Sequence, residues 1–284
     1  MDRFSMSNGR GGRVMTSEDK ADPVALATEQ ALYAPDARGA LGGASSDGGL
    51  TILLPVHNEA QTIEQVLAGF WEAVVQPTSA KILICEDGST DGTGEVLRRL
   101  AGKYPLRFVN GTDRKGYAGA VRDGLLQIDT SQVFFADSDG QYYPEDFWKL
   151  WRHVEEYDMI VGSKVNRSEP LHRLLLSRGF HLLAKVMTGV PLQDMDCGFR
   201  ILRRDVADKV LPEVRSLPYS FWAEFTILAY RKGIRILEVP VSHRSRLNGD
   251  TSIYQWNRLP MIVRRQFRGL IELARRLREP AGPG

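Results

Sequence analysis

The chain has 284 residues, 43% of them hydrophobic and 25% charged, a composition that suits one large or two small folded α/β domains and excludes a wholly disordered chain. Its formal net charge is +2, so the whole-molecule field selects neither nucleic acid nor an acidic substrate. Two cysteines, Cys85 and Cys197, with no CxxC spacing, exclude a disulfide framework and read as reduced thiols in a cytoplasmic setting.

Taken in order, Arg3, Arg10 and Arg13 lead into no apolar run, so no secretory signal is expected. No run approaches the roughly 18 apolar residues of a membrane span. Residues 1–48 are rich in Gly, Ser, Ala and Asp and read as a disordered leader with one short helix over 23–33. Residues 49–253 read as the folded domain. Its first strand is the apolar run Leu50–Val56. A helix over 59–75 follows, with Ile63, Val66, Leu67 and Phe70 on one face. Strands are expected over 81–85, 106–109, 132–136 and 159–162, separated by helices over 91–100, 116–128 and 144–157. Alternating strands and helices predict a doubly wound, mostly parallel sheet. Ligands of such sheets bind at the carboxyl ends of the strands. Beyond residue 165 come an apolar helix over 171–187, a strand over 199–202, a helix over 221–231 and a strand over 234–241. Residues 254–284 form a basic amphipathic helix (254–278) and a tail.

Three carboxyl-end loops carry acids: Asn58-Glu59, Glu86 to Thr93, and Asp137-Ser138-Asp139-Gly140-Gln141. Asp137 and Asp139 have DxD spacing, which lets two carboxylates converge on one hard divalent cation, Mn²⁺ or Mg²⁺. Such a cation neutralises the charge that builds on a departing diphosphate. Asp87 is placed to accept from a nucleobase N–H. The Gly-rich, basic helix entry around Arg114, Lys115 and Gly116 suits phosphate. It lacks the Gly-Lys-Ser/Thr of a Walker A loop.

Pro-Val-His-Asn-Glu59, Glu-Asp-Gly-Ser-Thr-Asp-Gly-Thr93, Asp-Ser-Asp-Gly-Gln141 and Asp-Met-Asp-Cys-Gly-Phe-Arg200 occur in that order. Over residues 50–255 this resembles the family 2 inverting glycosyltransferases of GT-A fold, and within them the dolichyl/polyprenyl-phosphate mannose (or glucose) synthases. The resemblance implies a nucleotide-sugar site of Pro55, Asn58, Glu59, Asp87, Lys115, Gly116, Asp137, Ser138 and Gln141. It also implies a metal held by Asp137 and Asp139, and phosphate contacts from Arg200, Arg244 and Arg246. Asp194 and Glu224 are implied at the sugar or acceptor. Two departures stand out: Ser252 occupies the place of the family's lysine after Gly249, and Asp196 is an additional acid.

The expected reaction is hexose transfer from GDP-mannose or a UDP-hexose to polyprenyl phosphate. Two alternatives stay open: a soluble small-molecule or carrier-bound acceptor, and a non-catalytic nucleotide-sugar-binding protein. A phosphate acceptor is already an anion, whereas a hydroxyl or amine needs a base, for which Asp194 or Asp196 is the candidate. On a helical wheel Leu259, Val263, Phe267, Leu270, Ala274 and Leu277 share one side of the last helix. Arg264, Arg265, Arg268, Arg275 and Arg276 take the other. This pattern predicts peripheral contact with the inner membrane face, or a helix docked on the sheet with a solvated Arg face.

Overall fold

The computed structural model describes residues 24–26, 49–111, 114–165, 171–246 and 259–279. Among them run strands β1 (Val24–Leu26), β2 (Leu50–Val56), β3 (Lys81–Glu86), β4 (Leu106–Asn110), β5 (Gln132–Ala136), β6 (Met159–Val165), β7 (Phe199–Arg203) and β8 (Ile236–Ser242). They join one sheet in the order β1-β8-β6-β7-β5-β2-β3-β4. Every residue of β2 and β5 is buried, as a parallel sheet covered on both faces requires. The helices are α1 (Ile63–Phe70), α2 (Thr93–Ala101), α3 (Tyr117–Leu126), α4 (Phe147–Trp151), α5 (Leu171–Thr188), α6 (Arg204–Val210), α7 (Phe221–Arg231) and α8 (Leu259–Arg276). The helix α3 lies close on β2 and β3 because Gly124 has no side chain. A Cβ there would stand 2.5 Å from Leu53 and 2.6 Å from Cys85.

Two expectations change, and the direction of one strand is added. Within the residues read as leader, Val24–Leu26 is a strand rather than part of a helix, and it pairs in parallel with β8. The helix expected over 144–157 reduces to a 3₁₀ turn (Pro144–Asp146) followed by the short α4. Strand β7 is antiparallel to both of its neighbours, with Ala136 opposite Phe199 and Gln132 opposite Arg203. The reversal has a consequence for the site. The chain enters β7 from the edge where the parallel strands end, so the turn 193–198 joins the acidic loops there.

The last helix is rotated from the expected wheel. Its buried residues are Ile262, Gln266, Gly269, Leu270, Leu273 and Ala274, whereas Val263 and Phe267 are half exposed, at 47% and 49%. Polar anchors and one close approach set the rotation. Gln266 Nε2 donates to Ser220 Oγ at 2.6 Å, and a Cβ on Gly269 would meet the Ser216 carbonyl oxygen at 2.0 Å. Arg276, expected on the solvated face, donates to Ser216 Oγ at 2.9 Å and to the Glu213 carbonyl at 2.8 Å. It also pairs with Glu224 at 3.4 Å. Residues 254–258 of the expected helix lie outside the described residues.

Glu224 is therefore a structural anchor. It is fully buried, and its carboxylate accepts the backbone N–H groups of Arg215, Ser216 and Leu217 at 2.7–3.0 Å. Removing one partner of a buried, hydrogen-bonded charge pair leaves the others uncompensated. Glu224→Ala is expected to lower stability by about 3–5 kcal/mol in urea unfolding. A loss below about 1 kcal/mol would place the pair among solvated surface bridges.

Candidate active site

The first acidic loop is laced to the second. Asn58, in a left-handed conformation at φ 56°, accepts the Thr90 N–H at 2.9 Å and donates its own N–H to Ser89 Oγ at 3.0 Å. Glu59 receives support from Thr62 Oγ1 and from the Thr93 hydroxyl on its backbone N–H. Burial and the nearby Asp139 and Asp91 raise the Glu59 carboxyl above its ordinary range. Asp87 is buried. Its Oδ1 accepts the N–H groups of Lys115 at 2.6 Å and Gly116 at 3.2 Å, tying β3 to the entry of α3. The ammonium of Lys115 turns instead to Asp123.

The DxD loop leaves β5 at the centre of this edge. Ser138, expected at the nucleotide, is buried and spends its hydroxyl on the Pro55 carbonyl at 2.6 Å. It locks the loop to β2. Asp137 is held from three directions: its N–H donates to the Gly198 carbonyl at 3.0 Å, Tyr117 Oη donates to its Oδ1 at 2.8 Å, and its Oδ2 lies against Gly198. A Cβ on Gly198 would be 1.8 Å from that oxygen, so any other residue there would displace the Asp137 carboxylate. Burial, then the neighbouring Asp139, pushes the Asp137 carboxyl up to about 7. Asp139 Oδ1 accepts the Gln141 N–H at 3.1 Å, and its Oδ2 pairs with Arg246 at 3.0 Å. Burial also raises Asp139, against the pull of Arg246. Gln141 and Arg244 are bound to each other through two hydrogen bonds of 2.9 and 3.1 Å. The Arg244 guanidinium donates to the Gly140 carbonyl at 2.7 Å and lies over the Tyr143 ring.

The turn before β7 completes the edge. Asp194 is buried, accepts the Lys164 N–H at 3.2 Å and faces its ammonium at 3.6 Å. Glu238 holds this turn by accepting the N–H groups of Gln193 and Asp194. Asp196 Oδ1 accepts the Ala223 N–H in the first turn of α7 at 3.1 Å. Burial pushes Asp196 up to about 6, opposed by Lys164 and Arg200. Asp194, Asp196 and Lys164 line a cavity of about 450 Å³ whose other walls come from α5 and α8.

Arg200 does not reach this space. It is fully buried and its guanidinium is used on the carbonyls of Cys197 and Met195 and on Thr226 Oγ1 at 2.9 Å. It also stacks 4.2 Å over Trp222. Arg200 is a core brace, not a phosphate contact, and Glu224 likewise lies away from the cavity, under α8. Ser252 and Gly249 lie outside the described residues. Three contributors escaped sequence reasoning: Lys164, Tyr117 and Gly198. Lys164 stands at the carboxyl end of β6, where the strand-end rule points, but the strand was expected to stop at residue 162.

The carboxylates fit a hard cation. Asp137 and Asp139 are oxygen donors two residues apart, both pressed toward protonation by burial, and the positive guanidinium of Arg246 already stands against Asp139. Among the described residues no group of three or more His, Cys, Asp or Glu side chains forms a closed metal cage. A cation there would draw further oxygens from a ligand, the usual arrangement for Mg²⁺-like ions at phosphates.

The sequence profile of glycosyl transferase family 2 matches residues 51–211. A polyprenol monophosphomannose synthase from Mycolicibacterium smegmatis is 30% identical over 69% of this chain and 77% of its own length. An undecaprenyl-phosphate mannosyltransferase from Micrococcus luteus is 28% identical over 71% of this chain and 86% of its own. A dolichyl-phosphate beta-glucosyltransferase from Saccharomyces cerevisiae is 27% identical over 68% and 66%. Among solved structures, glucosyl-3-phosphoglycerate synthase from Mycobacterium tuberculosis, in complex with Mn²⁺, UDP-glucose and phosphoglyceric acid, superposes with a TM-score of 0.63. That match has 21% identity and covers 86% of this chain and 85% of that one, a likeness of GT-A fold.

The raised Asp137 makes the ligand-free fold pH-dependent. A carboxyl whose folded pKa exceeds its unfolded one contributes stability that is present below the unfolded value, 3.8, and lost as pH rises through about 7. Asp137→Asn is expected to remove that component, so its urea midpoint falls less than the wild type's between pH 5 and pH 8. Added Mn²⁺ is expected to raise the wild-type midpoint more at pH 8 than at pH 5. Equal shifts at both pH values would speak against cation binding by this pair.

Proposed function

Since the chain belongs to glycosyl transferase family 2 and is a glycosyltransferase, we propose that it moves a hexose from a nucleotide diphosphate-sugar to a polyprenyl phosphate. Membership sets aside the non-catalytic alternative. The carrying observation is the cavity between α5 and α8. Lys164, Asp194 and Asp196 line it together with Phe180, Leu183, Ile262 and Leu270. Leu176, Val263 and Phe267 also line it and remain well exposed. A lysine braced by Asp194 at one end and apolar side chains of α5 and α8 along the walls suit a phosphate on a hydrocarbon chain better than a small polyhydroxylated acceptor.

In this reading Asn58, Glu59 and Asp87 line the nucleoside, while Arg244 and Arg246 neutralise diphosphate. Asp137 and Asp139 hold Mn²⁺ or Mg²⁺, which when bound offsets the charge developing on the departing nucleoside diphosphate. Arg246 then exchanges Asp139 for phosphate oxygens, an exchange between two anionic partners of one guanidinium. Lys164 binds the acceptor phosphate and Asp194 orients Lys164. A phosphate oxygen attacks the anomeric carbon in line, a new carbon–oxygen bond forms, and the bond to the diphosphate breaks with inversion. The nucleophile is already an anion, so Asp196 need not take a proton and is free to brace α7.

The peripheral membrane contact rests on the same face. Besides the cavity rim, Leu182 and Val186 are exposed at 64% and 75% and Met261 at 41%. Arg264, Arg265 and Arg268 are exposed beside them. Exposed apolar side chains flanked by cations suit an anionic bilayer surface. No helix among the described residues is long and apolar enough to cross a membrane.

The test is a donor panel of GDP-mannose, UDP-glucose and UDP-GlcNAc with Mn²⁺ and undecaprenyl phosphate in vesicles. Label is expected in the organic phase with one donor. Transfer only to a water-soluble acceptor such as phosphoglyceric acid overturns the acceptor assignment and favours the soluble-acceptor alternative. Lys164→Met is expected to raise the acceptor KM about ten- to hundredfold, the value of a charge-assisted hydrogen bond, with donor KM little changed. Sedimentation with anionic vesicles is expected to fall when Val263 and Phe267 become Asp. Unchanged sedimentation would remove this face from any membrane contact.

A further inference from the structure

The hydroxyl of Tyr117 belongs to a chain of hydrogen bonds that none of the four motifs contains. Trp222 Nε1–H donates to Tyr117 Oη at 3.1 Å, and Tyr117 Oη–H donates to Asp137 Oδ1 at 2.8 Å. A phenol has one proton to give and lone pairs to receive. Accepting from an indole, which can only donate, turns that proton toward Asp137. The indole has little freedom to move. It is fully buried, its ring meets Phe135 at 4.5 Å, and the Arg200 guanidinium lies 4.2 Å over its face. The Tyr117 ring meets the same Phe135 edge-on at 6.4 Å.

The other side of the carboxylate is equally constrained. Asp137 Oδ2 occupies the space that a Cβ on Gly198 would fill, and the Asp137 N–H is fixed to the Gly198 carbonyl. Hydroxyl on one oxygen and backbone against the other leave the carboxylate one orientation. We propose that Tyr117, keyed by Trp222, is a positioning residue that presets Asp137 for a divalent cation. The proposal rests on the cation reading given above. It deepens that reading by assigning residues that touch neither cation nor substrate. Groups that hydrogen-bond a ligating carboxylate preserve its orientation, and their loss costs about ten- to hundredfold in metal affinity.

The experiment is a titration of the full chain with Mn²⁺ alone, free ion being read by electron paramagnetic resonance, alongside circular dichroism and thermal unfolding. Tyr117→Phe retains the ring against Phe135 and removes only the hydroxyl. It is expected to weaken Mn²⁺ binding about tenfold, with the far-ultraviolet spectrum unchanged. Trp222→Phe, which takes away the donor to Tyr117, is expected to weaken binding in the same direction. The double variant should be no worse than Tyr117→Phe, since Trp222 acts through Tyr117. If Tyr117→Phe does not fold, Trp222→Phe carries the same expectation. Wild-type affinity in both single variants, with binding lost in Asp137→Asn, overturns the positioning role and leaves the cation reading standing. Wild-type affinity in Asp137→Asn overturns the cation reading and this inference together.

Discussion

The antiparallel pairing of β7 beside β5 brings the turns 137–139 and 194–196 to one water-poor edge, and the crowding of carboxylates there governs the site. Glu59, Asp137, Asp139 and Asp196 are all pushed upward, in each case chiefly by burial. Buried like charges are costly unless cations answer them. Lys164 and Arg246 supply part of the answer from the protein itself. The unmet remainder is what a divalent cation and its diphosphate would satisfy. Burial, with repulsion from Asp139 second at Asp137, sets these shifts, and a bound cation would offset them.

Rigidity around the acids comes from hydrogen bonds that tie one loop or element to the next. Ser138 ties the DxD loop to Pro55, Asp87 ties β3 to α3, and Glu238 ties the 193–194 turn to β8. Glu224 and Arg276 fasten α8 over the loop 213–217. These bonds are buried or partly buried, where each is stronger than in water and each loss leaves an unmet partner. The cavity inherits its shape from them. Its floor is set by the β7 turn, its walls by α5 and the rotated face of α8.

Two arginines illustrate how residue type and place can part. Arg200 follows a strongly patterned acidic segment and has the chemistry of a phosphate contact, yet it sits on an antiparallel strand whose side chain points into the core. There it serves Trp222 and two carbonyls. Arg276 belongs by periodicity to a solvated stripe, yet it turns inward because Gly269 lets α8 approach Ser216 closely. Helical wheels average over such contacts, and one missing side chain is enough to rotate the buried face.

The acidic loops at 58–59, 86–93 and 137–141, the strand-helix alternation and the family resemblance were legible from residue order alone. They depend on local signals: apolar runs, turn residues and the rule that parallel sheets bind ligands where strands end. The acidic loops of the proposed donor half were therefore readable, though not the turning of Ser138 to Pro55 or of the Lys115 ammonium to Asp123. The acceptor half was not. It depends on β7 running backwards, on Lys164 at the end of a strand longer than its apolar run, and on which side of α8 faces inward. Those are long-range choices, settled by pairing and packing between segments far apart in the chain. The role of Gly198 shows the difference most directly. As a letter it is an ordinary turn residue, and only the tertiary contact with Asp137 reveals that a side chain there would displace the carboxylate.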